Sequence, residues 1–258
     1  MSNILEKIIA DKKDIIEKYK NSFAIEELKK KISSYKSYLN FKDKLNKNKV
    51  SVIAEIKKTS PSAGVIVKNY NPALIAKQYL DSGASCLSVL TEENYFEGKL
   101  EHINEVKKEV DLPVLCKDFF IDPYQVYLAK SFGADAILII LAAVDESMAN
   151  KLYEEAMKLN MSIVVEVHTK EEAKNSIKFK DALIGINNRN LKTLETNINT
   201  TYDIHDVLVN HRGPLISESG IKTKEEVLEI TKKTKIKTFL IGESLLQNLD
   251  KNSIFSVL

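Results

Sequence analysis

The chain has 258 residues, 44% hydrophobic and 29% charged, which suits one sizeable core of the kind a single α/β barrel builds, although two ordinary domains would also fit. Its 38 basic and 36 acidic residues leave a net charge of only +2. No global field therefore draws it to nucleic acid or an anionic membrane, and any anion it binds must be held by a local site. The longest apolar stretch, 136–144, falls far short of the roughly twenty residues that a bilayer span requires, and the N-terminus has acidic residues and no uncharged apolar core, unlike a secretory signal. A soluble, cytoplasmic protein is expected, with a small molecule rather than nucleic acid or membrane as its partner, working as a monomer or weak homo-oligomer.

Residues 1–46 are rich in Lys, Glu, Ile and Leu, with apolar positions every three or four residues. Ile4, Ile8, Ile15 and Ile16 fit one helical face. Two helices are predicted, broken near Asn21–Ser22, with Ser22 available as a cap for the second.

From residue 50 the pattern changes. Short runs dominated by Ile, Val and Leu occupy 50–56, 86–90, 113–116, 136–141, 162–167, 182–186, 214–217 and 237–241. Several lack polar alternation, as strands covered on both faces do. Between them lie amphipathic segments with helix start signals: Asn71-Pro72, Asp122-Pro123 and Thr223. Gly83 and Gly133, each followed by Ala, suit helix ends. Eight strands alternating with helices imply a parallel sheet closed on itself: an α/β fold, a (β/α)8 barrel over 50–258 with an N-terminal helical extension over 1–46, the whole forming one domain. An open doubly wound sheet is the rival, and no GxGxxG follows the first strand to support it. Cys86 and Cys116 sit in apolar runs without a CxxC or Cys/His spacing, so buried reduced thiols are expected and no metal site.

In such a barrel the chemistry sits at the carboxyl ends of the strands. The first strand ends in AEIKKTSPSAG, where Glu55 and Lys57 share a side by alternation; they form either a pocket-facing pair or a solvated salt bridge. The Ser-Pro-Ser-x-Gly continuation suits a turn with exposed hydroxyls and amides. Lys117 closes an apolar run, where low-dielectric walls would disfavour its ammonium form; an ordinary surface lysine is equally open. Glu166 is a lone acid in an apolar strand, hence a catalytic carboxylate or a structural ion pair. His168 is expected to tilt the other way, as a structural or loop residue. Asn187 and Arg189 share a side and suit hydroxyls and carboxylates; an Asn-rich turn is the alternative. Strands seven and eight end in Ser-Glu-Ser-Gly and Gly-Glu-Ser, and free amides at those two junctions are the usual phosphate site of this architecture; paired helix caps are the competing reading.

Taken together, AEIKKTSPSAG (54–64), LCKDFFIDPYQ (115–125), GADAILIILAAV (133–144), VVEVH (164–168), GINNRNL (185–191), SESGI (217–221) and LIGESLL (240–246) resemble the indole-3-glycerol-phosphate synthase family of tryptophan biosynthesis. The motifs cover every part of the barrel in order. The extension before the first strand is similar too. Other phosphate-binding barrels, such as phosphoribosylanthranilate isomerase or the tryptophan synthase α-subunit, share the phosphate loops. They do not need Glu-x-Lys on the first strand together with Lys-Asp-Phe on the third. A non-catalytic binder on a decayed barrel would not keep the polar strand ends selectively.

The resemblance implies a lyase that acts on 1-(2-carboxyphenylamino)-1-deoxyribulose 5-phosphate by ring closure, decarboxylation and dehydration. In that reading Lys117 matches the general acid toward the ketone, and Glu166 the acid that stabilises positive charge and acts in proton removal. Lys57 matches the lysine that pairs with the substrate carboxylate and serves as acid in dehydration. Glu55, Asn187, Arg189 and Glu218 match the orienting network. Ser60, Ser219, Gly220, Gly242, Glu243 and Ser244 match the phosphate site, and Phe119, Leu138 and Ile140 the apolar pocket. No cofactor is implied, because loss of the carboxylate itself restores aromaticity. Two positions depart from the family pattern. Asn190 replaces an aspartate that would orient Arg189. Glu243 occupies a phosphate-loop position where a small hydroxyl residue is common, so its side chain is expected to point away from the phosphate.

Overall fold

The eight apolar runs pair in parallel: β1 (Ser51–Ile56), β2 (Cys86–Leu90), β3 (Val114–Lys117), β4 (Ala136–Ile140), β5 (Ser162–Val167), β6 (Leu183–Asn187), β7 (Leu215–Glu218) and β8 (Thr238–Ile241). Each strand bonds to its sequence neighbours, and β8 returns to β1 through Ser51 opposite Thr238, which closes the barrel. This computed structural model describes residues 4–35, 38–45, 49–248 and 253–258. Helices flank the strands: α1 (Ile4–Ser22) and α2 (Ile25–Ser34) precede β1, and α3 (Pro72–Asp81), α4 (Glu93–Phe96), α5 (Glu101–Glu109), α6 (Tyr124–Ser131), α7 (Glu146–Lys158), α8 (Lys170–Ser176), α9 (Asn199–Leu208), α10 (Lys224–Thr234) and α11 (Glu243–Leu246) follow in turn.

Strand alternation sorts the side chains into two layers. Val52, Ala54 and Ile56 of β1, Val114 and Cys116 of β3, and Ile163, Val165 and Val167 of β5 face the helices and form the larger core. Ile53, Cys86, Leu115, Ala136, Leu138, Val164, Leu183, Ile216 and Leu240 fill the barrel interior. Two residues beyond an interior apolar residue, on the same face, stand Glu55, Lys117, Glu166 and Glu218, and Asn187 follows Leu183 and Gly185 on the same face. The polar set thus lies directly above the packed interior, at the carboxyl end. Both cysteines are free and buried, one in each layer.

The helix signals act locally. Asn71 Oδ1 accepts the Leu74 N–H at 3.0 Å with Pro72 inside the first turn, and Asp122 Oδ1 accepts the Tyr124 N–H at 2.8 Å. Thr223 and Glu226 form a reciprocal capping box on α10. Gly83 and Gly133 take φ of +92° and +98°, the left-handed geometry that lets the chain turn from helix to strand.

The N-terminal extension differs from its sequence reading in three respects. The helix break falls at Phe23–Ala24, and Ala24 rather than Ser22 starts α2; the Ser22 hydroxyl donates instead to the Lys18 carbonyl one turn back. Helix ends at Ser34. Residues 38–45 are not helical: they cross the amino end of the barrel, where Leu39 N–H meets Asp135 Oδ1 at 2.6 Å, Lys42 N–H meets Ser162 Oγ at 3.2 Å, and Phe41 is fully buried. Residues 1–3, 36–37 and 46 of the expected helical extension lie outside the described residues. α1 runs across the carboxyl end. Its buried Lys12 reaches Asp118 at 2.7 Å and Glu92 at 3.8 Å, and its Tyr19 hydroxyl donates to Glu93 at 2.6 Å.

Candidate active site

The strand ends converge on a cavity of 590 Å³. Its floor carries Glu55, Lys57, Lys117 and Glu218, and its rim carries Arg189, Ser219, Gly220, Gly242, Glu243 and Ser244. Lys117 Nζ lies 2.8 Å from Glu166 Oε2 and 3.3 Å from Glu218 Oε2. Lys57 Nζ lies 2.5 Å from Glu55 Oε1. Asn187 Nδ2 donates to Glu166 Oε1 at 3.1 Å. Lys117, Asn187 and Glu218 are the last residues of their strands, one place beyond the predicted ends. The ladder continues through them, since Lys117 and Glu218 carbonyls accept the N–H of Thr91 and Asn188.

Two glycines make this cluster possible. A Cβ at Gly185 would overlap Glu218 Oε1, and one at Gly242 would overlap Glu55 Oε1. The missing side chains leave room for two carboxylates inside a closed barrel. The charge states follow from the packing. Burial works against the Lys117 ammonium, but Glu166, Glu218 and Glu55 outweigh it and hold its pKa well above the ordinary lysine value. The sequence expectation of a disfavoured ammonium is therefore reversed: low dielectric strengthens the attraction of three nearby carboxylates as well as the desolvation cost. Glu166 and Glu55 are held below the usual carboxylate range; burial opposes this, and Lys117 and Lys57 respectively are the leading attractions that overcome it. Glu218 is pushed up to about 7 by burial, with Glu166 and Glu55 adding like charge against the pull of Lys117. Among the described residues its Oε1 has no hydrogen-bond partner, as suits a carboxyl that is part protonated near neutrality.

His168 is corrected. Positions 166 and 168 are two apart and so share a face; His168 Nε2 lies 3.2 Å from Glu166 Oε1 and Nδ1 lies 3.2 Å from Glu172 Oε2.

The rim is built from backbone. Ser219 and Gly220 both have positive φ, 66° and 76°, which turns successive amides at the β7 end. Asn188 braces that turn: its Nδ2 donates to Ser219 O at 3.0 Å and its Oδ1 accepts the Thr201 hydroxyl at 2.8 Å. Arg189 is held without an aspartate at position 190, by Ser62 Oγ at 2.8 Å, Thr196 Oγ1 at 3.2 Å and Glu243 Oε2 at 3.8 Å. Asn190 instead organises its own loop by accepting the Lys192 and Thr193 N–H groups. Glu243 does not point wholly away: its side chain lines the cavity and faces Arg189, whose charge offsets its own.

Six expected positions lie off the cavity wall: Glu166 and Asn187 stand behind Lys117, which lines it, and four others pack elsewhere. Ser60 is buried and accepts the Ala63 N–H at 3.2 Å, shaping its own turn. Phe119, Leu138 and Ile140 are buried in the interior cluster that also contains Leu5 and Ile8 of α1, while Leu240, Ile198 and Ile221 line the cavity itself. Among the described residues, no group of three or more His, Cys, Asp or Glu side chains could hold a metal ion.

Residues 5–257 match the family model for indole-3-glycerol phosphate synthase. The chain belongs to this family. An indole-3-glycerol phosphate synthase from Burkholderia multivorans is 40% identical over 250 residues, covering 96% of this chain and 95% of the relative. One from Burkholderia vietnamiensis is 40% identical over 251 residues with the same coverage. More distant solved structures share the fold. A phosphoribosylanthranilate isomerase monomer from Thermotoga maritima has a TM-score of 0.53 at 12% identity, covering 81% of this chain and 94% of its own. A mutant tryptophan synthase α-subunit from Pyrococcus furiosus has a TM-score of 0.57 at 15% identity, covering 76% and 88%. What separates this indole-3-glycerol phosphate synthase family member from a bare barrel is the cluster around Lys117.

Proposed function

We propose that this protein converts 1-(2-carboxyphenylamino)-1-deoxyribulose 5-phosphate to indole-3-glycerol phosphate, carbon dioxide and water. The observation that carries this reading, for a chain of this family, is an ammonium held between two buried carboxylates on the floor of a cavity rimmed by backbone turns and Arg189. The phosphate sits at the amides of Ser219, Gly220, Gly242, Glu243 and Ser244, close to Ser60. The carboxylate lies between Lys57 and Arg189. The aryl ring lies on the Phe119, Leu138 and Ile140 side of Lys117: Phe119 follows Lys117 by two residues, and Ile140 pairs with Glu166 across the sheet.

Lys117 Nζ hydrogen-bonds the ketone oxygen and makes its carbon electrophilic. The ring carbon that bears the carboxylate attacks, and the carbonyl electron pair moves to oxygen. The resulting alkoxide is basic enough to take a proton even from a high-pKa ammonium. Glu166 and Glu55 stabilise the positive charge on the ring. The bond to the carboxylate then breaks, and its electron pair restores the aromatic ring as carbon dioxide leaves. Lys57 protonates the departing hydroxyl, and Glu166 accepts the proton from the neighbouring carbon, completing the indole. Asn187 and Glu218 orient the acid and base, the first through Glu166 and the second through Lys117.

The test is indole fluorescence on incubation with this aryl-amino ketose phosphate. The protein should produce it. Lys117→Ala and Glu166→Gln should remain folded, with turnover lower by about two orders of magnitude or more, the scale of acid–base catalysis. Undiminished turnover in Lys117→Ala, or no fluorescence from the unaltered protein, would defeat this reading.

A further inference from the structure

We infer that His168 is a positioning residue for Glu166: its ring, anchored by Glu172, holds one oxygen of the Glu166 carboxylate so that the other stays turned to Lys117. The inference rests on the role given above to Glu166.

The two oxygens of Glu166 have divided tasks. Oε2 meets Lys117 at 2.8 Å. Oε1 accepts a hydrogen bond from Asn187 Nδ2 at 3.1 Å and lies at ion-pair distance, 3.2 Å, from His168 Nε2, whose N–H is not aligned for a hydrogen bond. A carboxylate held through one oxygen by Asn187 at the end of β6 and His168 just past β5 cannot swing freely, so the lone pairs of the other keep a set direction. His168 is itself held from the far side. Glu172 is the third residue of α8, whose cap is Thr169. Its Oε2 accepts the His168 backbone N–H at 2.7 Å and lies 3.2 Å from His168 Nδ1. An imidazole with a carboxylate 3.2 Å from each ring nitrogen is favoured in its doubly protonated, cationic form.

Among the described residues, the charged groups facing the ring are Glu166 from β5, just ahead of it, and Glu172 from α8. Across the sheet, β6 contributes the neutral Asn187 and β4 the apolar Ile140 beside Glu166. Lys117 of β3 meets only the far oxygen of Glu166. Burial lowers the ring's basicity, but the two carboxylates outweigh it and raise the pKa to about 9. The ring is thus cationic at neutral pH. That cation helps to keep Glu166 ionised, and the two roles, direction and charge, are separable by substitution.

The experiment compares His168→Leu, which has neither donor nor charge, with His168→Gln, which keeps a donor without the charge. kcat and KM for the aryl-amino ketose phosphate are measured across pH, with thermal melts of each variant. His168→Leu should lose about tenfold in kcat with KM changed less than about twofold, and its acidic limb should move up by about one pH unit. His168→Gln should recover most of kcat and keep the displaced limb. Ring-nitrogen NMR shifts give a readout that needs no turnover: His168 should stay doubly protonated beyond pH 8 and titrate lower in Glu172→Gln. The proposal is overturned if the ring titrates as an ordinary histidine, or if kcat and the acidic limb of both folded variants match the unaltered protein. Absence of indole fluorescence from the unaltered protein would instead strike the assigned reaction, and the NMR titration would still decide the contact.

Discussion

Gly185 and Gly242 show that the site depends on what is missing as much as on what is present. Gly185 lies within β6 and Gly242 just past β8, each where any side chain would occupy the volume of a carboxylate, Glu218 for one and Glu55 for the other. In Gly185→Ala the methyl must displace Glu218, which then loses Lys117. Overpacking of this kind costs about 1–3 kcal/mol, and kcat should fall at least about tenfold because Lys117 loses one of its two partners. Urea unfolding and the fluorescence assay on the same preparation check both. A variant that is destabilised with kcat unchanged would show that Glu218 does not orient Lys117. At this scale the sequence was informative in part. Strand alternation alone puts Glu55 beside Lys57, and it would also have put His168 beside Glu166, since the spacing is the same. The protonation of Lys117 was not legible. Its sign depends on Glu166 and Glu218, which lie 49 and 101 residues away along the chain, and only closure of the barrel brings them within reach.

Among the elements, the strands and capped helices were the most legible, because their signals are local: Asn71-Pro72, Thr223 with Glu226, and the glycines at 83 and 133 act within a few residues of themselves. The N-terminal extension was less so. Its amphipathic pattern says that a face is buried, not against what, and the run 38–45 stays non-helical because Phe41 and the Leu39 N–H are satisfied by the amino end of the barrel. α1 is pinned across the opposite end by an ion cluster. Lys12 is buried between Asp118 and Glu92, and burial, which opposes its charge, is outweighed by Asp118. Asp118 also accepts from the Thr91 hydroxyl at 2.7 Å and stands between Lys117 and Phe119. Removing one member of such a cluster leaves the others unpaired and costs about 3–5 kcal/mol. Lys12→Ala should therefore lower the urea midpoint substantially, whereas Lys20→Ala, which breaks a half-exposed pair with Asp122 on the same helix, should change it by less than about 1 kcal/mol. Equal losses would show that α1 is held by its apolar face alone.

Over the whole molecule, a net charge of +2 conceals a concentration of buried ions at one end of the barrel, and these govern how stability responds to pH. Glu55 and Glu166 have native pKa values below their unfolded ones. They stabilise the fold above the ordinary carboxylate range, and that contribution is lost as pH falls through their native values. Glu218, raised to about 7, works in the opposite sense: its contribution is present below the ordinary carboxylate value and lost as pH rises through 7. His168, raised from 6.5 to about 9, contributes fully below 6.5 and loses that contribution as pH rises through 9, a change on the order of 3 kcal/mol. Stability should therefore peak on the mildly acidic side and decline between pH 6.5 and 9, where few ordinary side chains titrate. His168→Gln removes the group responsible, so its unfolding free energy, measured in urea at a series of pH values, should be nearly flat over that interval while the unaltered protein declines. The acid limb should be less affected, because Lys117 and Asn187 still face Glu166. If the two curves run parallel from pH 6.5 to 9, the ring is not cationic in the native state. The declining limb would then belong to a group other than Glu218, whose contribution is already lost just above pH 7.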